Sequence, residues 1–350
     1  MTTTVLPGFL DAHVHLALID PSLLVRGGIA RVLDLGGWPL APATSAPASP
    51  APSLTVPVET PRYAGESRPE VSNSANAYPA DAAEQPLPEI AFAHQFLTAP
   101  GGYPARQAWT PAGSVAEIAT VADATAAVDT QRAAGASVVK IALNSETGPV
   151  VDDEILAAIV DRAHALGLPV VAHAQGRGQA ERAFAAGVDV FAHTPFSEWL
   201  PDGMIAAMAV SMTWISTLDI HGWGDPTEEF AVASDNLRRF HLAGGRVLYG
   251  TDLGNGPLPT GLNRREVEAL LAVGLSPEEV LAALTDRGLG HGLAQNAAHT
   301  QQPAHIPNQA DIHPSRITFI PGARPSDPSA FVDWLCTARA VSRLELEDLQ

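Results

Sequence analysis

A single cysteine, Cys336, among 350 residues excludes an internal disulfide, so packing must hold the fold together. A reducing compartment is consistent with that. Cationic side chains are also scarce. Twenty Lys and Arg stand against 38 Asp and Glu, a formal net charge of −18. Nucleic acid and anionic membrane surfaces both call for a positive footprint, so neither is an expected partner. No apolar run reaches the roughly 18 uninterrupted residues of a spanning helix. The opening MTTTVLPGFL has no basic segment and no long apolar stretch, so no secretory signal is expected. The expectation is a cytoplasmic protein that meets a small-molecule substrate, with self-association into a homo-oligomer left open.

What is abundant is apolar material, 46% of the chain, enough for a large core. Short apolar runs alternate with Ala-rich helical patterns. SVVKIAL (137–143), LPVVAHA (168–174), VDVFAHT (188–194), SMTWISTL (211–218) and GGRVLYGTD (244–252) are rich in β-branched residues and apolar at nearly every position. Parallel strands buried on both faces have that composition. Helices are expected at 123–134, 152–166, 179–186, 202–210 and 228–242, with Asp152 as an N-cap. Gly135, Gly167, Gly187 and Gly244 stand where helices must stop. Earlier strands at 9–15, 30–35 and 90–97 bring the number to eight, which suits a (β/α)8 TIM-type barrel of class α/β. A doubly wound open sheet is the alternative. It usually carries a Gly-rich phosphate turn after its first strand, and histidines occupy that place here.

Two segments break the rhythm. Residues 38–88 hold seven prolines from Pro39 to Pro61, a composition that cannot offset its ordering entropy, and are expected to be disordered. Residues 291–314 read as an irregular linker between a barrel at 1–290 and a C-terminal strand (SRITFIP, 315–321) and helix (329–340) in 315–350. Its four histidines, His291, His299, His305 and His313, lack ligand spacing. His94, His164 and His241 are read as structural or solvated.

His13 and His15 are two apart in a strand, so both imidazoles share one face and can hold one metal. They lie at the C-terminal end of the first strand, where barrel enzymes keep their active sites. His173, His193 and Asp252 occupy the corresponding ends of later strands. Lys140 sits in an otherwise apolar strand, where an ammonium must be paired, neutral or modified.

PGFLDAHVHL resembles the opening of the amidohydrolase superfamily. GASVVKIAL, PVVAHAQG, GVDVFAHT and LYGTDLGNG resemble its later strand motifs, in the family's order. The likeness is to the imidazolonepropionase-like and prolidase-like branch. TAPGGYP (98–104) resembles that branch's third-strand loop, with Tyr103 where a His is common. The resemblance implies two divalent metal ions. His13, His15 and Asp252 would bind one and His173 and His193 the other, with Lys140 bridging as a carbamate. It further implies a metal-dependent hydrolase that cleaves an amide, lactam or peptide-like C–N bond through a metal-bridged hydroxide, with Asp252 moving the proton. Zinc suits these ligands, with manganese, iron and cobalt still open. A mononuclear deaminase is the enzymatic rival, but its Glu three residues after the fifth-strand His is here Gly176. A catalytically silent binding barrel is the rival from another class.

His221 and Trp223 are candidate substrate contacts beyond the seventh strand, as is Tyr103. His221 reads equally as a loop histidine bonded to backbone, Asp219 is a lesser candidate in the same loop, and Asn255 reads as a turn former. The family's accessory β-sandwich is expected to be absent or reduced to a stub, because only twelve residues precede His13.

Overall fold

The computed structural model describes residues 3–38, 87–287, 289 and 316–349. The proline-rich insert therefore lies almost wholly outside the described residues, as do the linker and its four histidines.

The central strands and the helices between them follow from apolar runs and their punctuation. β1 (Thr3–Pro7), β2 (Phe9–Val14) and β3 (Ile29–Asp34) come first, then β4 (Glu89–Phe92), β5 (Phe96–Thr98) and β6 (Val115–Glu117). β7 (Val139–Asn144), β8 (Val170–Gln175), β9 (Val190–Phe191), β10 (Thr213–Ile215) and β11 (Arg246–Leu248) alternate with helices. β2 and β7 are buried at every position, the mark of strands covered on both faces. α3 (Asp153–Ala165) buries Ile155, Leu156, Ile159, Val160 and Ala163 along one stripe, the helical period. The Asp152 carboxylate accepts from Ile155 N at 2.8 Å, and Gly167 at φ 71° ends the helix in a conformation that favours glycine. β10 meets α6 (Glu228–Leu242) through Trp214, which stacks on Phe240 with centroids 3.9 Å apart.

Seven strands form one parallel sheet in the order β11-β10-β9-β8-β7-β5-β6, and β2-β3-β4 form a second. Hydrogen bonds outside these ladders join the two. Ala12 N donates to Tyr249 O at 2.9 Å, Asp252 N to His13 O at 2.8 Å and His15 N to Leu253 O at 2.8 Å. At the other side Ser137 N donates to Phe92 O at 2.8 Å. The expected strand at 90–97 is split into β4 and β5 because His94 adopts φ 74°.

The C-terminal expectation needs correcting. α9 (Pro328–Leu335) ends early, and β13 (Arg339–Val341) replaces the rest of the helix expected at 329–340. β13 pairs antiparallel with β12 (Ile317–Pro321), setting Val341 against Ile317. β1 flanks β12 on its other edge, so both parts of the chain outside the parallel strands share a three-stranded sheet. Ladder pairing on an open edge outweighs the weak helix preference of the TARAV segment.

Asp11 ties the first and last strand regions together. Its Oδ1 accepts from His13 N at 3.1 Å and Thr251 N at 3.0 Å, and its Oδ2 from Thr251 Oγ1 at 2.6 Å. Three donors buried without their acceptor would cost roughly 2–4 kcal/mol. Asp11→Ala is therefore expected to lower unfolding free energy by about that amount, measured by urea titration. An unchanged midpoint would refute the tie.

Candidate metal centre

The ends of β2, β7 and β8 and the segments following β9 and β11 surround one small cavity. It is lined by His13, His15, Phe96, Tyr103, Trp109, Lys140, Ala142, His173, His193, Asp252 and Asn255. Every ligand-type residue expected from the sequence is among them. His221 and Trp223 are not.

The backbone fixes which ring nitrogens face inward. His13 Nδ1 lies 2.8 Å from Ala192 O and His15 Nδ1 3.1 Å from Gly36 O. A carbonyl only accepts, so both Nδ1 atoms carry the proton and both Nε2 atoms present lone pairs. Those Nε2 atoms are 3.3 Å apart and lie 3.0 and 3.1 Å from the same oxygen, Asp252 Oδ1. Two lone pairs and a carboxylate oxygen thus converge at one buried point, an arrangement suited to a cation between them. Asp252 Oδ1 has no hydrogen-bond donor of its own, as a ligand atom should not. One potential ligand atom from each of His13, His15 and Asp252 lies within 4.8 Å of the others.

Electrostatics agree. Burial works against charge on both rings. It leaves His13 depressed to about 4, helped by the charge of Lys140. On His15 the adjacent Asp252 carboxylate overcomes burial and raises the pKa. Burial likewise opposes the Asp252 carboxylate, but His13 and His15 hold its pKa well below the usual range. The arrangement stabilises one positive charge, shared between the rings and the carboxylate.

The second histidine pair is placed by other contacts. His193 Nδ1 pairs with Thr217 Oγ1 at 3.0 Å. His173 Nε2 lies 3.1 Å from Gln175 Oε1, which also accepts from Asn144 Nδ2 at 2.8 Å, while Gln175 Nε2 donates to Glu146 at 2.8 Å. The Gln175 oxygen is thereby fixed as an acceptor and His173 Nε2 as the donor, leaving Nδ1 unprotonated. The His173 and His193 rings sit 4.9 Å apart, and His13 and His193 4.6 Å apart. Burial depresses His173 to about 3 and lowers His193 far below its ordinary value. Neutral imidazoles are the form that binds metal.

Lys140 is buried with no carboxylate within 4.0 Å of its ammonium among the described residues. Desolvation brings its pKa down to about 7, against the weaker pull of Asp252 and Asp34.

Several supports were not foreseen. The Asp34 carboxylate accepts from Leu16 N at 2.7 Å and Gly36 N at 3.0 Å, holding the turn whose carbonyl meets His15. Burial raises both Asp34 and Asp11 to about 7. A Cβ on Gly36, at φ 135°, would fall 2.6 Å from the Phe96 ring, so only glycine fits that turn. Asp252 itself adopts φ 59°, a conformation costing on the order of 1–3 kcal/mol in a non-glycine residue. Asn255 shapes that turn and also donates to Asp252 Oδ2 at 2.9 Å. Gln175 had a visible signal, being two residues beyond His173 on the same strand. Phe96 and Trp109 had none.

Asp219 serves the fold, accepting from Asn263 Nδ2 and Arg265 Nε, each at 2.7 Å. His221 packs on Phe196 with centroids 4.3 Å apart, and burial depresses it to about 4. Trp223 is exposed and lies against Gly256.

The amidohydrolase family profile matches residues 4–288. The chain belongs to the amidohydrolase family. Membership and its structural neighbours imply a TIM-type barrel. The chain resembles a Xaa-Pro dipeptidase crystallised with methionine in its active site, at 17% identity and TM-score 0.62, covering 96% of this chain and 84% of that one. It also resembles a Bifidobacterium longum protein taken to be a prolidase (22%, TM-score 0.59, 94% and 78% covered). Phenylurea hydrolase B is a third such structure (14%, TM-score 0.59, 98% and 86% covered). A search of curated proteins returned no match. Among the described residues, no helix is long and apolar enough to cross a membrane.

Holding an ammonium at Lys140 with a pKa near 7 rather than 10.5 costs roughly 4–5 kcal/mol when it is charged. The cost is full below pH 7, where the folded amine is forced to carry its proton, and fades as pH rises from 7 towards 10.5. Lys140→Met is therefore expected to raise the Tm of metal-free protein, most at pH 6 and progressively less at pH 8 and 9. Calorimetry over that range checks both sign and slope.

Proposed function

We propose that this chain is a metal-dependent hydrolase that cleaves an amide, lactam or peptide-like C–N bond. The observation carrying this reading is the convergence of two imidazole Nε2 atoms and one carboxylate oxygen on a single buried point. The reading takes the two parallel sheets as one (β/α)8 barrel, closed through the hydrogen bonds between β2 and the segment after β11. It takes the β1-β12-β13 sheet as the reduced counterpart of the family's sandwich, and a cytoplasmic location is part of it.

His13, His15 and Asp252 would hold one divalent ion and His173 and His193 a second, with Lys140 as a bridging carbamate. An imidazole-rich set with one carboxylate suits zinc. Bound there, divalent metal supplies Lewis acidity towards the scissile carbonyl and lowers the pKa of water. The low pKa of Lys140 supports the carbamate, since only the neutral amine adds carbon dioxide.

The remaining work belongs to the chain. Asp252 is kept ionised by its neighbours, so it can accept the proton of the attacking water and return it to the departing amine. Asn255 holds its second oxygen and so fixes the carboxylate's orientation. Tyr103 stacks on His173 at 5.1 Å and 26°, shielding that ring from water. Gln175 and Thr217 hold the two later histidines in register.

Asp252→Asn is expected to lower kcat about 10²–10⁴-fold on any amide the metal-loaded protein cleaves. Metal analysis of Lys140→Ala is expected to find one ion per chain where the parent holds two. Full activity in Asp252→Asn, or two ions retained in Lys140→Ala, would remove the role assigned to that residue.

A further inference from the structure

The segment following β10 carries two costs, and both fall where it meets the candidate metal centre. Thr217 adopts φ 43°, a strained left-handed conformation that is an outlier for a β-branched residue. Glu266, in the first turn of α7 (Arg264–Ala272), is fully buried against the same segment. Its Oε2 accepts from Asp219 N at 2.8 Å, and Ser216 and Leu218 adjoin the carboxylate. Its Oε1 has no hydrogen bond among the described residues. Burial raises the Glu266 pKa to about 7, the mark of a carboxyl whose surroundings disfavour its charge. Backbone strain and an incompletely paired buried carboxyl both lower stability, so stability is a poor account of the pair.

Position accounts for it better. Thr217 Oγ1 lies 3.0 Å from His193 Nδ1, and Thr217 stands inside the stretch that Glu266 holds. That stretch is fastened on both sides. Ser216 N donates to Leu248 O at 3.0 Å and Thr217 N to Gly250 O at 3.1 Å, which ties it to β11 and the residues leading to Asp252. Asp219 accepts from Asn263 and Arg265 at the start of α7, and Asn263 N donates to the Tyr249 hydroxyl at 2.8 Å. Removing the Glu266 carboxyl leaves Asp219 N buried without its acceptor. Thr217 is then free to relax to the negative φ that its branched side chain prefers, which swings Oγ1 away from His193.

We infer that Glu266 is a positioning residue for the metal centre: it clamps residues 216–219 so that Thr217 holds His193 by Nδ1 and leaves Nε2 to a metal ion. This rests on the binuclear hydrolase reading above.

The test uses full-length protein with zinc alone. Titration against a competing chelator is expected to show two ions in the parent, and in Glu266→Ala one affinity weakened about 10–100-fold with the other unchanged. Glu266→Met fills the same space without an acceptor and is expected to show the same selective loss. Glu266→Gln keeps an oxygen for Asp219 N and is expected to bind both ions as the parent does. Either of the first two variants decides the matter where the other fails to fold. Both affinities falling together, or neither moving, overturns the clamp and leaves the hydrolase reading intact. If the parent holds fewer than two ions, the binuclear reading falls, and nitrogen-15 NMR of the metal-free protein decides the clamp. Ring signals of His193 displaced in Glu266→Met, with those of His15 unmoved, uphold it, and unmoved His193 signals overturn it.

Discussion

Two imidazole lone pairs and a carboxylate oxygen held about 3 Å apart in a buried pocket repel one another unless a cation or a proton lies between them. Much of the surrounding structure exists to hold that unfavourable geometry. Ala192 and Gly36 use their carbonyls to turn the lone pairs of His13 and His15 inward. Asp11 ties the strand that carries those histidines to the residue beside Asp252. Asp252 N and His15 N close the remaining distance through backbone hydrogen bonds. Strain at Asp252 persists because these contacts over-determine its position. Such preorganisation costs folding energy, which a cation bound at the site would offset.

Burial explains why one environment suits both the histidines and the lysine. Desolvation disfavours the charged form of His173, His193 and Lys140 alike, pushing each towards a neutral nitrogen base. Asp252 escapes the same pressure only because His13 and His15 adjoin it. The pocket therefore keeps one carboxylate ionised beside His15, with the other nitrogen groups pushed towards neutrality.

The site was legible in the sequence to the extent that it sits at strand ends. His13 and His15 share a face through the period of two, and His173, His193 and Asp252 end strands whose apolar composition is plain. All five line the cavity with Lys140. What could not be read depends on loops and on contacts distant in sequence. His221 and Trp223 follow the seventh strand, as expected of rim residues, but their loop turns one onto Phe196 and leaves the other exposed. The split at His94 and the β13 strand arise from a backbone conformation and an open sheet edge, neither of which periodicity encodes.

Phe96 and Trp109 show the same boundary from the other side. Phe96 lies in an apolar strand and reads as core, while Trp109 stands in a loop after the third-strand motif with nothing local to mark it. Their meaning comes from position: both rings face His15 across the cavity. Ligand residues are constrained by the chemistry of metals and so recur in recognisable spacing. The opposite wall is constrained only by the molecule it admits, and a loop can supply it from any register. In this chain the ligand-type residues can be read from strand ends, and the aromatic side chains facing them only from the folded chain.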